Sequence, residues 1–180
     1  MTSDDPEFDP IILDHLEQEG FGAQYIQYGG DVAEFKKELQ GLSEALELGG
    51  SMAIVAYGDA AAAVLEICTK PLAHLKSLIA YYPTTIPSAK ARFSSDLDMV
   101  VHLAASQILN PTFNKYVYQD VEPGFAEHDL DEYDKVSANL AWSRTLGVLR
   151  KGFKVEADLE KVWEEHLRCE EDLRSAWAGS

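Results

Sequence analysis

The stretch AIVAYGDAAAA, residues 53–63, constrains the fold more than any other part of the chain. Its pattern predicts a buried strand, a tight turn and a helix of small residues. This is the layout of the strained turn that presents a catalytic Ser or Cys at the carboxyl edge of a sheet. The residue at the place of the nucleophile is Gly58, which has no reactive side-chain atom.

Short apolar runs alternate with helical patterns along the first 153 residues. The predicted strands are 22–28, 51–57, 77–83, 99–105 and 114–120, and the predicted helices are 9–20, 31–48, 59–70 and 136–153. Several of the strands are apolar without alternation, as expected when both faces of a sheet are covered. We therefore predict an α/β three-layer sandwich with a mainly parallel sheet of about five strands in sequential order.

Composition and charge exclude several classes of partner. The net charge of −16 argues against binding to nucleic acid or to an anionic membrane. No apolar run approaches membrane-spanning length, and the acidic N-terminus lacks the apolar core of a signal peptide, so a cytoplasmic location is expected. Cys68 and Cys169 form neither a disulfide framework nor a metal motif, and no phosphate-binding glycine loop is present. We expect no metal and no cofactor.

The chain divides at residue 153. Residues 1–153 are predicted to form the α/β domain, and residues 154–180 an acidic C-terminal helix. Apolar residues form a ragged stripe along that segment: Leu159, Val162, Trp163, Leu167, Leu173 and Trp177. Such a stripe is more often packing than function, and it can pack on its own domain or on a second copy.

Four blocks in the right order give the chain a resemblance to the dienelactone hydrolase family of α/β hydrolases. SMAIVAYGDAAAAVL resembles the family's elbow strand, its G-x-C-x-G-G turn and the following helix. LIAYYP resembles a strand that ends in paired tyrosines, and MVVHLAASQILNP a strand followed by the acid. The region from YVYQD to RKGF resembles the last strand, the His-Gly-Phe loop and the final helix. The resemblance covers residues 10–153 and implies a truncated α/β-hydrolase fold.

The resemblance also shows what the chain lacks. Gly58 stands at the nucleophile position, Gln107 at the acid and Pro123 at the histidine, so the parent hydrolase activity is expected to be absent. The family has two or three strands before the helix that begins at Asp9 here, and ten residues are too few to supply them. The strand missing beside the elbow strand is replaced either by residues 22–28 or by a partner chain, and a homodimer is expected.

The remaining chemistry is expected at the carboxyl ends of the strands. The candidate acid–base residues are Asp59, Glu122 and Glu127, and the candidate substrate-binding residues are Tyr57, Tyr81, Tyr82, Gln107 and His128. Structural roles compete with these assignments. Asp59 is more often a helix cap than a base, the paired tyrosines are more often packing, and His102 is expected to be a hydrogen-bonded core histidine.

Two functions follow. The first is non-hydrolytic acid–base catalysis on a small apolar molecule, such as epoxide opening, cyclisation or isomerisation. The chain resembles fungal dienelactone-hydrolase-like proteins, some of which accompany polyketide pathways, and this resemblance implies a polyketide-type substrate. The alternative is a pseudoenzyme that acts as a binding or oligomerisation module. An enzyme requires two titratable groups that converge on one ligand position, at least one of them desolvated.

Overall fold

A computed structural model describes residues 1–5, 8–47, 49–107, 109, 111 and 113–155. The strands are β1 (Thr2–Ser3), β2 (Ile26–Gln27), β3 (Met52–Tyr57), β4 (Leu75–Tyr81), β5 (Asp98–Ala104) and β6 (Lys115–Tyr118). The helices are α1 (Pro10–Gln18), α2 (Val32–Ala45), α3 (Gly58–Ile67) and α4 (Lys135–Phe153). The strands form one sheet in the order β2-β1-β3-β4-β5-β6, and every pairing is parallel.

The predicted fold class is confirmed, because helices cover both faces of a parallel sheet. On one face, α2 and α3 pack through Phe35, Leu39 and Val64 in a cluster that includes the inward side chains of β3, β4 and β5. On the other face, α1 and α4 contribute Ile12 and Leu149 to a second cluster. Burial of two apolar layers against one sheet holds the strand ends, and so the candidate site, in place.

The five predicted strands keep their predicted order, with 22–28 and 114–120 at the edges, but an unpredicted strand separates the first two. Thr2 pairs with Ile26 of β2 on one side and with Ala56 of β3 on the other, so a two-residue strand lies between the two segments expected to be neighbours. The first ten residues were expected to be too few for the two or three strands of the family, and they supply one strand of two residues. Two residues suffice at this position because Ile26 and Tyr28 donate backbone hydrogen bonds to the carbonyls of Met1 and Ser3.

A left-handed residue ends the last described helix. Lys154 has φ 55°, and the backbone N–H of Val155 returns to the carbonyl of Arg150 at 2.9 Å. This arrangement satisfies a terminal carbonyl of α4 and turns the chain away from the helix axis. The helix and the stripe predicted beyond this point lie outside the described residues.

Within the described part of the chain, no helix combines the length and apolar character needed to cross a membrane.

Candidate functional site

The strand, turn and helix predicted for residues 53–63 are present, with a left-handed residue at the turn. β3 ends at Tyr57 and α3 begins at Gly58, whose φ of 55° lies in the left-handed region. A Cβ placed on Gly58 would lie 3.4 Å from Oδ1 of Asp4, which is ordinary van der Waals contact. The turn thus has room for a side chain, and the carboxylate of Asp4 points at the place where a nucleophile would stand.

Asp59 lies in the first turn of α3 but is not its N-cap, so the capping assignment was wrong. The N-cap residue of α3 is Tyr57, which makes no side-chain capping bond. Instead, the Asp59 carboxylate accepts a hydrogen bond of 2.5 Å from the hydroxyl of Thr84, in the loop after β4. Asp59 is exposed, and its carboxylate faces solvent at the carboxyl edge of the sheet.

Two other predicted residues follow β5 and β6 along the same edge. Glu122 is exposed and accepts a hydrogen bond of 2.8 Å from Ser106. Gln107 accepts a bond of 3.1 Å from the backbone N–H of Ala104 and donates one of 3.1 Å to the carbonyl of Pro83. At the position of the family's acid, Gln107 therefore ties together the loops after β4 and β5.

The clearest ionisable pair joins Tyr82 to Glu127. The Tyr82 hydroxyl donates a hydrogen bond to Oε1 of Glu127, and the two residues are only 4% and 5% exposed. Burial raises the pKa of Glu127 to about 7, although the hydrogen bond from Tyr82 opposes this increase. Burial also raises the pKa of Tyr82 well above its usual value, and the charge of Glu127 raises it further.

Further carboxylates surround this pair. Asp5, Asp129 and Asp9 raise the pKa of Glu127 beyond the effect of burial. Tyr25 lies among the same charges. Burial raises the pKa of Tyr25 first, and the charges of Asp5, Asp4 and Glu127 raise it further. The N-terminal strand and the loop after β6 thus bring several acidic groups together near the elbow.

His128 is hydrogen-bonded to Asp9, the residue that caps α1. Asp9 caps α1 through the N–H of Ile11, and its second oxygen lies 2.7 Å from both the backbone N and Nδ1 of His128. Asp9 is 1% exposed, so this contact ties α1 to the loop after β6. The His128 ring also lies 4.5 Å from the ring of Tyr133.

Tyr57 and Tyr81 lie deeper, with their rings stacked at 4.7 Å. Both are at most 3% exposed. A cavity of about 30 Å³ beside them is lined by residues that include Ala126, His128 and Trp142. This volume is about that of one water molecule. The cavity therefore has no room for a small organic molecule.

His102 is a hydrogen-bonded core histidine, as predicted. Its Nδ1 lies 2.8 Å from the Tyr118 hydroxyl and its Nε2 lies 3.1 Å from the Thr145 hydroxyl. Thr145 also bonds the hydroxyl of Tyr81 at 2.7 Å. Burial lowers the pKa of His102 to about 3, helped by the charge of Arg144, so the ring is neutral and structural.

Asp4 and Asp9 were missed as neighbours of the site. Both belong to the N-terminal segment, where a strand of two residues has no periodicity to detect. The described residues contain no group of three or more His, Cys, Asp or Glu side chains arranged to hold a metal ion. The arrangement brings together a buried carboxyl group, tyrosine hydroxyls and nearby carboxylates, which can exchange protons.

Comparison with known proteins adds little beyond the fold. No protein-family model and no curated protein matches the chain. Among solved structures, the chain is similar to a protein of Klebsiella pneumoniae subsp. pneumoniae described as a "Putative Dienelactone Hydrolase". The two share 13% sequence identity with a TM-score of 0.49, over 64% of this chain and 58% of that protein. The chain thus spans less than two thirds of the length of that protein.

Proposed function

We propose that the protein is a non-hydrolytic acid–base enzyme acting on a small apolar molecule. The observation that supports this most is the buried pair of Tyr82 and Glu127, since a carboxyl group with a pKa of about 7 can give or take a proton at neutral pH. Surface carboxylates lack this property, because water stabilises their charged form. A second carboxyl group beside Glu127 separates the pKa values of the two groups, so that one can hold a proton while the other is ionised.

Each predicted residue has a role in this proposal. Glu127 carries the proton, and Tyr82 or Tyr57 donates a hydrogen bond to an oxygen of the substrate. Asp59 supplies a base at the elbow, assisted by Asp4, whose carboxylate is directed at the vacated nucleophile position. The outer residues Glu122, Gln107 and His128, with Tyr81 below, shape the walls of the site.

The reaction class follows from the absence of a nucleophile at Gly58. Without a covalent intermediate, acid–base groups can open an epoxide with water as the nucleophile, close a ring or move a double bond. In each reaction the substrate gains one proton from an acid and one proton is lost to a base. A polyketide-type substrate is proposed on the resemblance to fungal dienelactone-hydrolase-like proteins alone.

A non-catalytic module is the second candidate, and two observations favour it. Gln107 bonds two backbone groups instead of a histidine, and the cavity beside Tyr57 has the volume of a single water molecule. In that case Tyr82 and Glu127 fill space that a substrate would need, and the protein binds a partner or a second copy of itself.

Reaction with an apolar aryl epoxide distinguishes the acid–base enzyme from the non-catalytic module. The full chain is incubated with the epoxide at mildly acidic pH, diol formation is followed, and ester adducts are located by peptide mass spectrometry. An enzyme is expected either to form diol or to form an ester adduct at Glu127 or Asp59. The adduct should form at these two residues much faster than at other carboxylates. Glu127→Gln should remove this reactivity, whereas Glu38→Gln, the same change at an exposed carboxylate of α2, should not.

Labelling in proportion to surface exposure, with Glu127 unmodified and no diol formed, would favour the binding module over the enzyme.

A further inference from the structure

A large cavity lies away from the candidate site, at the amino ends of the strands. It measures about 790 Å³, which is the volume of about 25 water molecules. Its walls are mainly apolar and include Leu16, Phe21, Leu39, Met52, Ile54 and Phe153. An apolar recess of this size on a protein surface marks a site where a ligand or another protein segment binds.

The short N-terminal strand creates this cavity. β1 pairs with β3 only where Thr2 meets Ala56, so residues 52–55 have no strand neighbour on that side within the described residues. The segment 21–24 forms the opposite wall. A longer strand at this position would fill the space between them, and its absence leaves both apolar side chains and a strand edge uncovered.

The chain leaves the described structure at the wall of this cavity. Phe153 and Val155 both line it, and the left-handed Lys154 between them turns the chain at the end of α4. Val155 is half exposed. Twenty-five residues, 156–180, follow from that point.

Those residues have the sequence pattern that an apolar groove requires. Leu159, Val162, Trp163 and Leu167 are spaced by three, one and four, which would place them on one face of a helix. The other residues are strongly polar, with eight acidic and three basic side chains in the segment. An amphipathic segment of this kind binds by laying its apolar face into a hydrophobic groove.

We propose that residues 156–180 cover this cavity in the same molecule, with Leu159, Val162, Trp163 and Leu167 inserted between α1, α2 and the open edge of β3. The tether is short, since Leu159 follows the cavity-lining Val155 by four residues. A second copy would have to compete with a segment held beside its groove at high effective concentration.

The test uses the full chain and two double variants. Trp163→Gln with Leu167→Gln removes the apolar face. Lys161→Gln with Glu165→Gln makes the same number of changes on the opposite side of the predicted helix. The proteins are compared by the fluorescence of an apolar dye, by native mass spectrometry at low micromolar concentration, and by amide hydrogen exchange.

The wild type and the Lys161/Glu165 variant should be bare monomers that exclude the dye. The Trp163/Leu167 variant should bind the dye severalfold more strongly. In the wild type, slow exchange of amides 159–167 would support the proposal even if that variant fails to fold. Equal dye binding by all three proteins, or rapid exchange of 159–167, would overturn it. A dimer mass would assign the cavity to a second copy, and an added small mass to a bound ligand, and either would also overturn it.

Discussion

Replacing Glu127 by Gln should stabilise the protein at high pH but not at low pH. In the folded protein the pKa of Glu127 is about 7, against an ordinary value of 4.5. Between these values the folded state holds the proton more tightly than the unfolded state, so the free energy of unfolding falls as pH rises. The difference of about 2.5 units corresponds to about 3 kcal/mol of stability, present below about pH 4.5 and lost by the time pH exceeds 7. Gln has no proton to lose and keeps the acceptor for Tyr82.

The assay is urea unfolding at a series of pH values, for wild type and Glu127→Gln. Subtracting the two free energies of unfolding cancels the titration of every other group that the substitution leaves undisturbed. The difference should grow by about 3 kcal/mol in favour of the variant from pH 4 to pH 8. Glu122→Gln, at an exposed carboxylate, is the matched control and should change stability by less than about 0.5 kcal/mol throughout.

A difference that stays flat across this range would refute the reasoning, because Glu127 would then titrate as it does in the unfolded chain. Tyr82→Phe gives an independent check. The Tyr82 hydroxyl bonds the charged carboxylate and lowers the pKa of Glu127, so its removal should shift the midpoint of the pH dependence to a higher pH. A shift to lower pH would contradict the assigned hydrogen bond.

Three further changes test the packing and the elbow. Thr145→Val should cost about 2–3 kcal/mol in urea unfolding, since it leaves two buried hydrogen-bond partners unpaired, whereas Thr145→Ser keeps the hydroxyl and should cost about 1 kcal/mol. Gly152→Ala should cost about 1–3 kcal/mol, because its Cβ would lie 1.9 Å from Oγ of Ser77, and adding Ser77→Ala should recover most of the loss. Gly58→Cys, with both native cysteines replaced, should create an alkylatable thiol at the helix start, and Asp4→Asn should accelerate its reaction at neutral pH by removing the facing carboxylate. An unreactive thiol, or one indifferent to residue 4, would contradict the elbow geometry.

The central sheet could be predicted from sequence because its signals are local and strong. Strand 51–57 was placed within one residue of β3, and 99–105 within one of β5, since buried parallel strands carry long runs of apolar residues. The first predicted strand, 22–28, contains only the two-residue β2, because its partner β1 is itself so short.

The arrangement of the site could be predicted only in part. The carboxyl ends of the strands identified Tyr82 and Glu127, but nothing in the sequence pairs them, since 45 residues separate them and their bond depends on how the loop after β6 folds back. The contribution of Asp4 was not predictable without β1, because only the pairing of that strand with β3 directs Asp4 at Gly58.

Backbone strain distinguishes the lost site from the proposed one. At Gly58 the left-handed φ of 55° costs almost nothing, because glycine has no Cβ, so the chain has relieved the strain that a nucleophile at this turn would carry. Tyr82 adopts a positive φ of 35° with a full side chain, at a cost on the order of 1–3 kcal/mol. This conformation accompanies the bond between its hydroxyl and Glu127. Strain of this kind persists where the surrounding structure or the function requires one geometry. Tyr82 is one of four described non-glycine residues with a positive φ, and it lies beside a titratable carboxyl group, which favours Tyr82 and Glu127 over the elbow as the residues of the proposed activity.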